Sequence, residues 1–204
     1  GFCLCLEMSM RETAMKQLTL IAVILILTPA TLCAEEPPMS AYQLAETQLL
    51  AEYVGLPEQQ EALARAYYQG KGVERNYDEA AKWFYEAANQ GLVTSQFQLA
   101  IMYGRGEGVN KDYVKAVKWY RKAAEQGYVP AQFELGNRYA AGKGTPQNYA
   151  DAYVWYSLAA ASGHEKALKQ RNDYARKLTH EEIMEAQRRS ASLFAAMQQA
   201  KAME

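Results

Sequence analysis

Apolar positions recur in this chain on two scales. Over short windows they fall three and four residues apart, as in Leu99 and Tyr103, or in Ala80, Trp83, Phe84, Ala87 and Ala88. That spacing is the stripe of an amphipathic helix. Over the whole chain the same stripes return every 36 residues: Trp83, Trp119 and Trp155; Leu63, Leu99 and Leu135; Tyr67, Tyr103 and Tyr139; Ala80, Ala116 and Ala152; Ala88, Ala124 and Ala160. Gly91, Gly127 and Gly163 keep the same interval, with no insertion to break the register. Internal repetition of this length marks stacked supersecondary units.

Each unit reads as two helices. The first ends in a Gly-x-Gly loop (Gly70/Gly72, Gly106/Gly108, Gly142/Gly144), where glycine accepts positive φ. The second opens at Asn76, Asp112 or Asn148, residue types that accept hydrogen bonds from the unpaired N–H groups of a helix start. It closes at Gly91, Gly127 or Gly163, as left-handed C-terminal caps. One such pair cannot bury its apolar face alone, so the expected fold is all-α, an α-solenoid of helix-turn-helix repeats with a 36-residue period.

The ends should be capped. Ala41–Val54 reads as a single helix stopped by Gly55 and Pro57. At the other end Ala167 keeps the small position of Ala131, but Arg171 stands at the core position of Leu135. A last helix starts at Thr179 with Glu182 placed for a capping box. Ile183, Ala186, Leu193, Phe194 and Met197 form its expected inner face, with Arg188 and Arg189 turned to water. The chain thus divides into 1–34, 35–57 (N-terminal capping helix), 58–164 (three repeats) and 165–204 (a degenerate repeat and a C-terminal capping helix).

Residues 1–34 read as something other than fold. Lys16, the apolar run Leu18–Leu27 and the small-residue exit to Ala34 have the order of a secretory signal peptide, preceded by an over-extended start ahead of Met15. The run falls short of the roughly 20 residues of a membrane span, which disfavours a retained anchor. Leu32 before Cys33 disfavours lipidation. Cys3, Cys5 and Cys33 all lie within this segment, so the mature chain has no thiol for a disulfide, a metal site or a nucleophile. Twenty basic against 21 acidic residues then remain, a balance that argues against nucleic acid or a membrane surface as partner. The expected location is periplasmic or secreted, without membrane insertion of the mature chain.

The stretches Leu99-Ala100-Ile101-Met102-Tyr103-Gly104-Arg105-Gly106-Glu107-Gly108-Val109 and Ala116-Val117-Lys118-Trp119-Tyr120-Arg121-Lys122-Ala123-Ala124-Glu125-Gln126-Gly127 resemble the Sel-one-like repeat (SLR) family, relatives of the tetratricopeptide (TPR) arrays. The resemblance runs from about Glu58 to His164 and more weakly to the C-terminus. It implies a TPR-like right-handed superhelix and a non-enzymatic scaffold or adaptor, with the first helices lining the concave side. Enzymatic activity suggested for cysteine-paired relatives does not carry over to a mature chain without cysteine.

Nothing in the sequence rises to a catalytic or cofactor site. The Gly-x-Gly loops follow helices and lack the strand and the further residues of a phosphate cradle, so they read as turns. The tryptophans lie in the apolar stripes and read as core. His164 and His180, without a third ligand, read as solvated helix-start residues. Glu74, Asp78, Glu79 and Glu86, interleaved with Lys82, read as a solvated face. The candidate partner strip is Glu61, Arg65, Tyr68 and Gln69 in the first repeat, Phe97, Ile101 and Arg105 in the second, and Phe133, Asn137 and Ala141 in the third. Aromatic anchors beside an Arg are the composition of protein-binding hot spots. The competing reading packs Phe97 and Phe133 against the next repeat. The expected partner is a segment of another exported or envelope protein, bound by a monomer. An envelope hydrolase or carbohydrate-acting enzyme, and a self-assembling solenoid, are the alternatives.

Overall fold

The computed structural model divides the chain into two units, Gly1–Pro37 and Pro38–Glu204. It describes residues 41–202. The leader reading of residues 1–34 lies outside the described residues.

The helices are α1 (Ala41–Leu49, continued by a π turn, Leu50–Val54), α2 (Pro57–Gln69), α3 (Tyr77–Asn89), α4 (Val93–Arg105), α5 (Tyr113–Glu125), α6 (Val129–Ala141), α7 (Tyr149–Ala161), α8 (Glu165–Ala175) and α9 (His180–Ala202). No strand occurs among the described residues. From α2 to α8 each helix packs on its sequence neighbour, first on second within a repeat and second on first between repeats. This is a helical-repeat solenoid.

The caps form where the residue types predict. Asn76 Oδ1 accepts from the N–H groups of Asp78 (3.0 Å) and Glu79 (3.1 Å), Asp112 Oδ1 from Lys115 (2.9 Å) and Asn148 Oδ1 from Asp151 (3.0 Å). Gly91, Gly127 and Gly163 have positive φ. Just beyond them, Leu92 N–H reaches Ala87 O and Tyr128 N–H reaches Ala123 O, both at 3.1 Å, closing the helix and starting the next. The loop within each repeat is pinned in the same way three times: the N–H groups of Asn76, Asp112 and Asn148 donate to the carbonyls of Tyr67, Tyr103 and Tyr139. Leu63, Leu99 and Leu135 are fully buried. Each contributes about 1.5–3 kcal/mol through burial. Trp119 and Trp155 are buried in the core and Trp83 is half-buried against it.

A second ladder runs through the core. Gln60, Gln96 and Gln132, 36 residues apart, are buried. Gln60 Oε1 accepts from Gln90 Nε2, and Gln96 Oε1 from Gln126 Nε2, both at 2.8 Å. The matching residue of the third repeat is Ser162, and Gln132 Oε1 is left without a partner. Ser162→Gln should therefore stabilise the chain by about 1 kcal/mol, read as a higher urea midpoint. A variant no more stable than the parent would show that the orphaned oxygen is not a measurable cost.

Three expectations need correction. The single helix Ala41–Val54 is an α-helix that widens into a π turn before Gly55. His164 is a half-buried N-cap rather than a solvated residue, its Nδ1 accepting from Ala167 N–H at 3.0 Å and its ring 4.6 Å from that of Phe133. Phe194 is 41% exposed.

The third correction follows from where α9 lies. It packs along α7 rather than closing over α8. In α3 and α5 the outward positions are Lys82/Lys118, Glu86/Lys122 and Asn89/Glu125, whereas α7 carries Val154, Leu158 and Ala161 there. A helix apolar all round needs cover on a second face, and α9 provides it. Arg189 pairs with Asp151 (2.6 Å) and Gln187 Nε2 donates to Tyr153 Oη (3.3 Å). Because α9 rests mainly on α7, touching α6 through Met197 and Gln132, its covered stripe is narrow. Ala186 and Met197 are buried, Ile183 and Leu193 half-buried, and Phe194 falls on the flank. The predicted capping box forms, with Glu182 Oε2 accepting from Thr179 N–H at 2.8 Å, and this holds the Glu182 carboxyl below its usual range.

Candidate functional site

The first helices α2, α4 and α6 carry every residue of the predicted strip, but packing sorts those residues into different roles. On α2, Arg65 and Glu61 pair with each other at 2.8 Å, one helical turn apart. Tyr68 is tied into the frame: its hydroxyl donates to Glu107 Oε2 (2.8 Å) and its ring meets Tyr77 edge-on at 5.2 Å. Burial, and then the Glu107 carboxylate, push its pKa up. Gln69 ends α2 and is exposed.

A cavity lies between the second and third repeats. Phe97, Ile101, Gly104 and Arg105 of α4, Tyr120 of α5, and Glu134 and Arg138 of α6 line a half-open cavity of about 190 Å³. Phe97 is half-buried, its ring 5.7 Å from Tyr120 and 5.2 Å from Tyr128, each edge-on. It therefore serves the core and the cavity wall together. Ile101 is half-buried, and Arg105 reaches from the rim to Glu107 at 3.5 Å. The Arg138 guanidinium lies 5.7 Å from the Tyr113 ring centre and 5.5 Å from that of Tyr120, within cation–π range. Its Nε has no hydrogen-bond partner. Burial pushes the Tyr120 hydroxyl up in pKa.

On α6 the predicted residues turn elsewhere. Phe133 packs on Tyr156 (5.8 Å) and His164, and Asn137 Oδ1 accepts from the Tyr156 hydroxyl at 2.8 Å. Ala141 is exposed at the helix end. The structure thus brings Phe97, Ile101 and Arg105 together and leaves Glu61, Arg65, Tyr68, Phe133 and Asn137 outside that cavity. Glu134 and Arg138 were not anticipated. One signal was available for Arg138: its counterparts 36 and 72 residues upstream are Met102 and Ala66, both buried.

Chemically, the cavity offers an apolar wall, one carboxylate and two guanidiniums, a surface for recognition. A pair of acid–base carboxylates would need a second carboxylate among the lining residues. Among the described residues no group of three or more His, Cys, Asp and Glu is placed to hold a metal ion. None of the described helices is long and apolar enough to cross a membrane.

Comparison with known proteins gives one family and several solved structures of the same fold. The Sel1 repeat matches three consecutive stretches, residues 58–92, 93–128 and 129–164. A Sel1 repeat protein from Oxalobacter formigenes is 39% identical, over 64% of this chain and 54% of that one, with a TM-score of 0.59. The protein c5321, a protective antigen present in uropathogenic Escherichia coli strains and displaying an SLR fold, is 30% identical over 80% of this chain and 36% of that one, with a TM-score of 0.68. This chain therefore spans about half and about a third of those two proteins. Cysteine rich protein B of Helicobacter pylori shares the fold at 23% identity, over 62% of this chain and 95% of that one, with a TM-score of 0.50. No curated protein matches.

Proposed function

The chain belongs to the Sel1-repeat family, whose members are typically protein-interaction scaffolds, and from that premise we propose that it is a non-enzymatic adaptor that holds a segment of another exported protein on the concave face of its array. The α4–α6 cavity carries this reading. It joins half-buried Phe97 and Ile101 to Arg105 and to an Arg138 that forms no ion pair, the mixture found at the centre of partner sites. The exported setting rests on the order of charge, apolar run and small residues between Met15 and Ala34. A partner segment would lay an apolar side chain against Phe97 and Ile101 and present polar groups to Glu134 and Arg138.

Chemical crosslinking and pull-down from envelope extract tests the reading, with the double variant Ile101→Asp, Arg105→Glu beside the parent. Asn137 is kept, because removing it would unpair the Tyr156 hydroxyl in the core. A partner recovered by the parent should be depleted about tenfold or more by the variant, while thermal melts of the two agree. Equal recovery would place the partner on another face.

A further inference from the structure

We propose that the two ends of the array are mates, so that copies of this chain associate head to tail with α1 of one copy seated on α8 of the next. This goes beyond the adaptor reading and replaces the monomer expected from the sequence.

Among the described residues the array starts and stops in mid-repeat. Gln90 Nε2 donates to Gly55 O at 2.8 Å, as Gln126 Nε2 donates to Gly91 O at 3.1 Å, so α1 and its π turn end in the place of a second helix. Helix α8 follows Gly163 in the place of a first helix, with Ala167 buried as Ala131 is. Because α9 packs on α7, α8 is a first helix without its second. Among the described residues α1 is a second helix without its first. Each end presents what the other lacks.

The residues that would meet in a composite pair depart from the repeat pattern together. Inside the array, buried Gln60 and Gln96 each accept from the glutamine that ends their own second helix. The counterpart on α8 is Leu168, 44% exposed; the counterpart before Gly55 is Val54, 54% exposed. An amide pair has become an aliphatic pair, with one member uncovered at each end.

The charges change in step. Arg171 stands where the repeats bury Leu63, Leu99 and Leu135, and Glu52 stands where they bury Ala88 and Ala124. Around them, Glu46, Glu52 and Glu58 are the charged residues from 41 to 60, all acidic, and Glu61 beyond them is paired with Arg65. On α8 and its exit, Lys166, Lys169, Arg171, Arg176 and Lys177 outnumber Glu165 and Asp173. Polar ends of any sign would keep an array soluble. Opposite signs around a matched apolar pair give two complementary surfaces. A head-to-tail contact of this kind extends into an open chain unless its rotation closes a ring.

Sedimentation velocity of the full chain, over about 1–200 μM, reads the association directly, since complexes in that affinity range populate there. The weight-average mass should climb past the dimer with concentration. Glu52→Arg and Arg171→Glu should each weaken association about tenfold or more, and the two together in one chain should restore it, because the partners have exchanged signs. The groove variant Ile101→Asp, Arg105→Glu should leave association unchanged, so failure here is distinguishable from failure of the adaptor reading. Circular dichroism melts keep folding out of the comparison. Three results would overturn the proposal: a constant monomer mass, as when residues ahead of α1 already cover it; a closed dimer indifferent to both reversals; or additive loss in the double variant.

Discussion

Gly108→Ala should destabilise the array by about 3–5 kcal/mol, among the larger effects a single methyl can have. A Cβ at Gly108 would lie 1.9 Å from the carbonyl oxygen of Tyr77, 2.2 Å from its carbon and 2.8 Å from the nitrogen of Asp78. These are backbone atoms in the first turn of α3, so no rotamer change relieves the overlap. Only a shift of one repeat against the other does. Gly144 meets Tyr113 O at 2.1 Å, one repeat later. The control is Gly91→Ala. It has φ +99° with nothing within 4 Å of the added carbon, so only the left-handed backbone opposes the change. That costs about 1–2 kcal/mol. Urea unfolding of both variants separates conformation from close approach. If Gly108→Ala costs no more than Gly91→Ala, the contact is softer than it looks.

Removing residues 179–204 should cost several kcal/mol and leave a chain that binds a hydrophobic dye and aggregates. The deletion uncovers Val154 and Leu158, now almost wholly buried. Burial of two such side chains is worth about 3–6 kcal/mol, and an uncovered apolar face invites association. The prediction has a rescue. Val154→Lys with Leu158→Lys gives α7 the side chains α5 carries there, Lys118 and Lys122. The truncated chain with both changes should be soluble and cooperative. Aggregation of the rescued chain would mean that α9 does more than cover α7.

How much of this was legible depends on the range of the interaction. The caps at Asn76, Asp112 and Asn148 and the turns at Gly91, Gly127 and Gly163 depend on neighbours within a few residues, and the period repeats each of them. The buried leucines and tryptophans followed from the same stripes. The strip was read less well. Asn137 shares its register with Ile101 and Arg65, but its partner is the Tyr156 hydroxyl, nineteen residues on, where the second repeat has Tyr120 facing the cavity instead. Whether a position faces groove or core turns on one residue of helical phase, and the packing angle between repeats sets that phase. The placement of α9 was encoded in α7, in the exchange of Lys118 and Lys122 for Val154 and Leu158. It becomes visible only when the repeats are compared on their outer faces as well as their inner ones.

The close seating of Gly108 on Tyr77, and of Gly144 on Tyr113, also bears on how such a chain can change its length. Each loop rests on the helix start of the unit before it, so one or two extra residues there would lift that unit away. Gain or loss of a whole 36-residue module preserves every one of these contacts. Such a module can enter ahead of α7, whose outer face already carries α9, and not behind it. On this geometry a duplicated module is accommodated upstream of α7, and the last module keeps its cover only where α7 and α9 stay together.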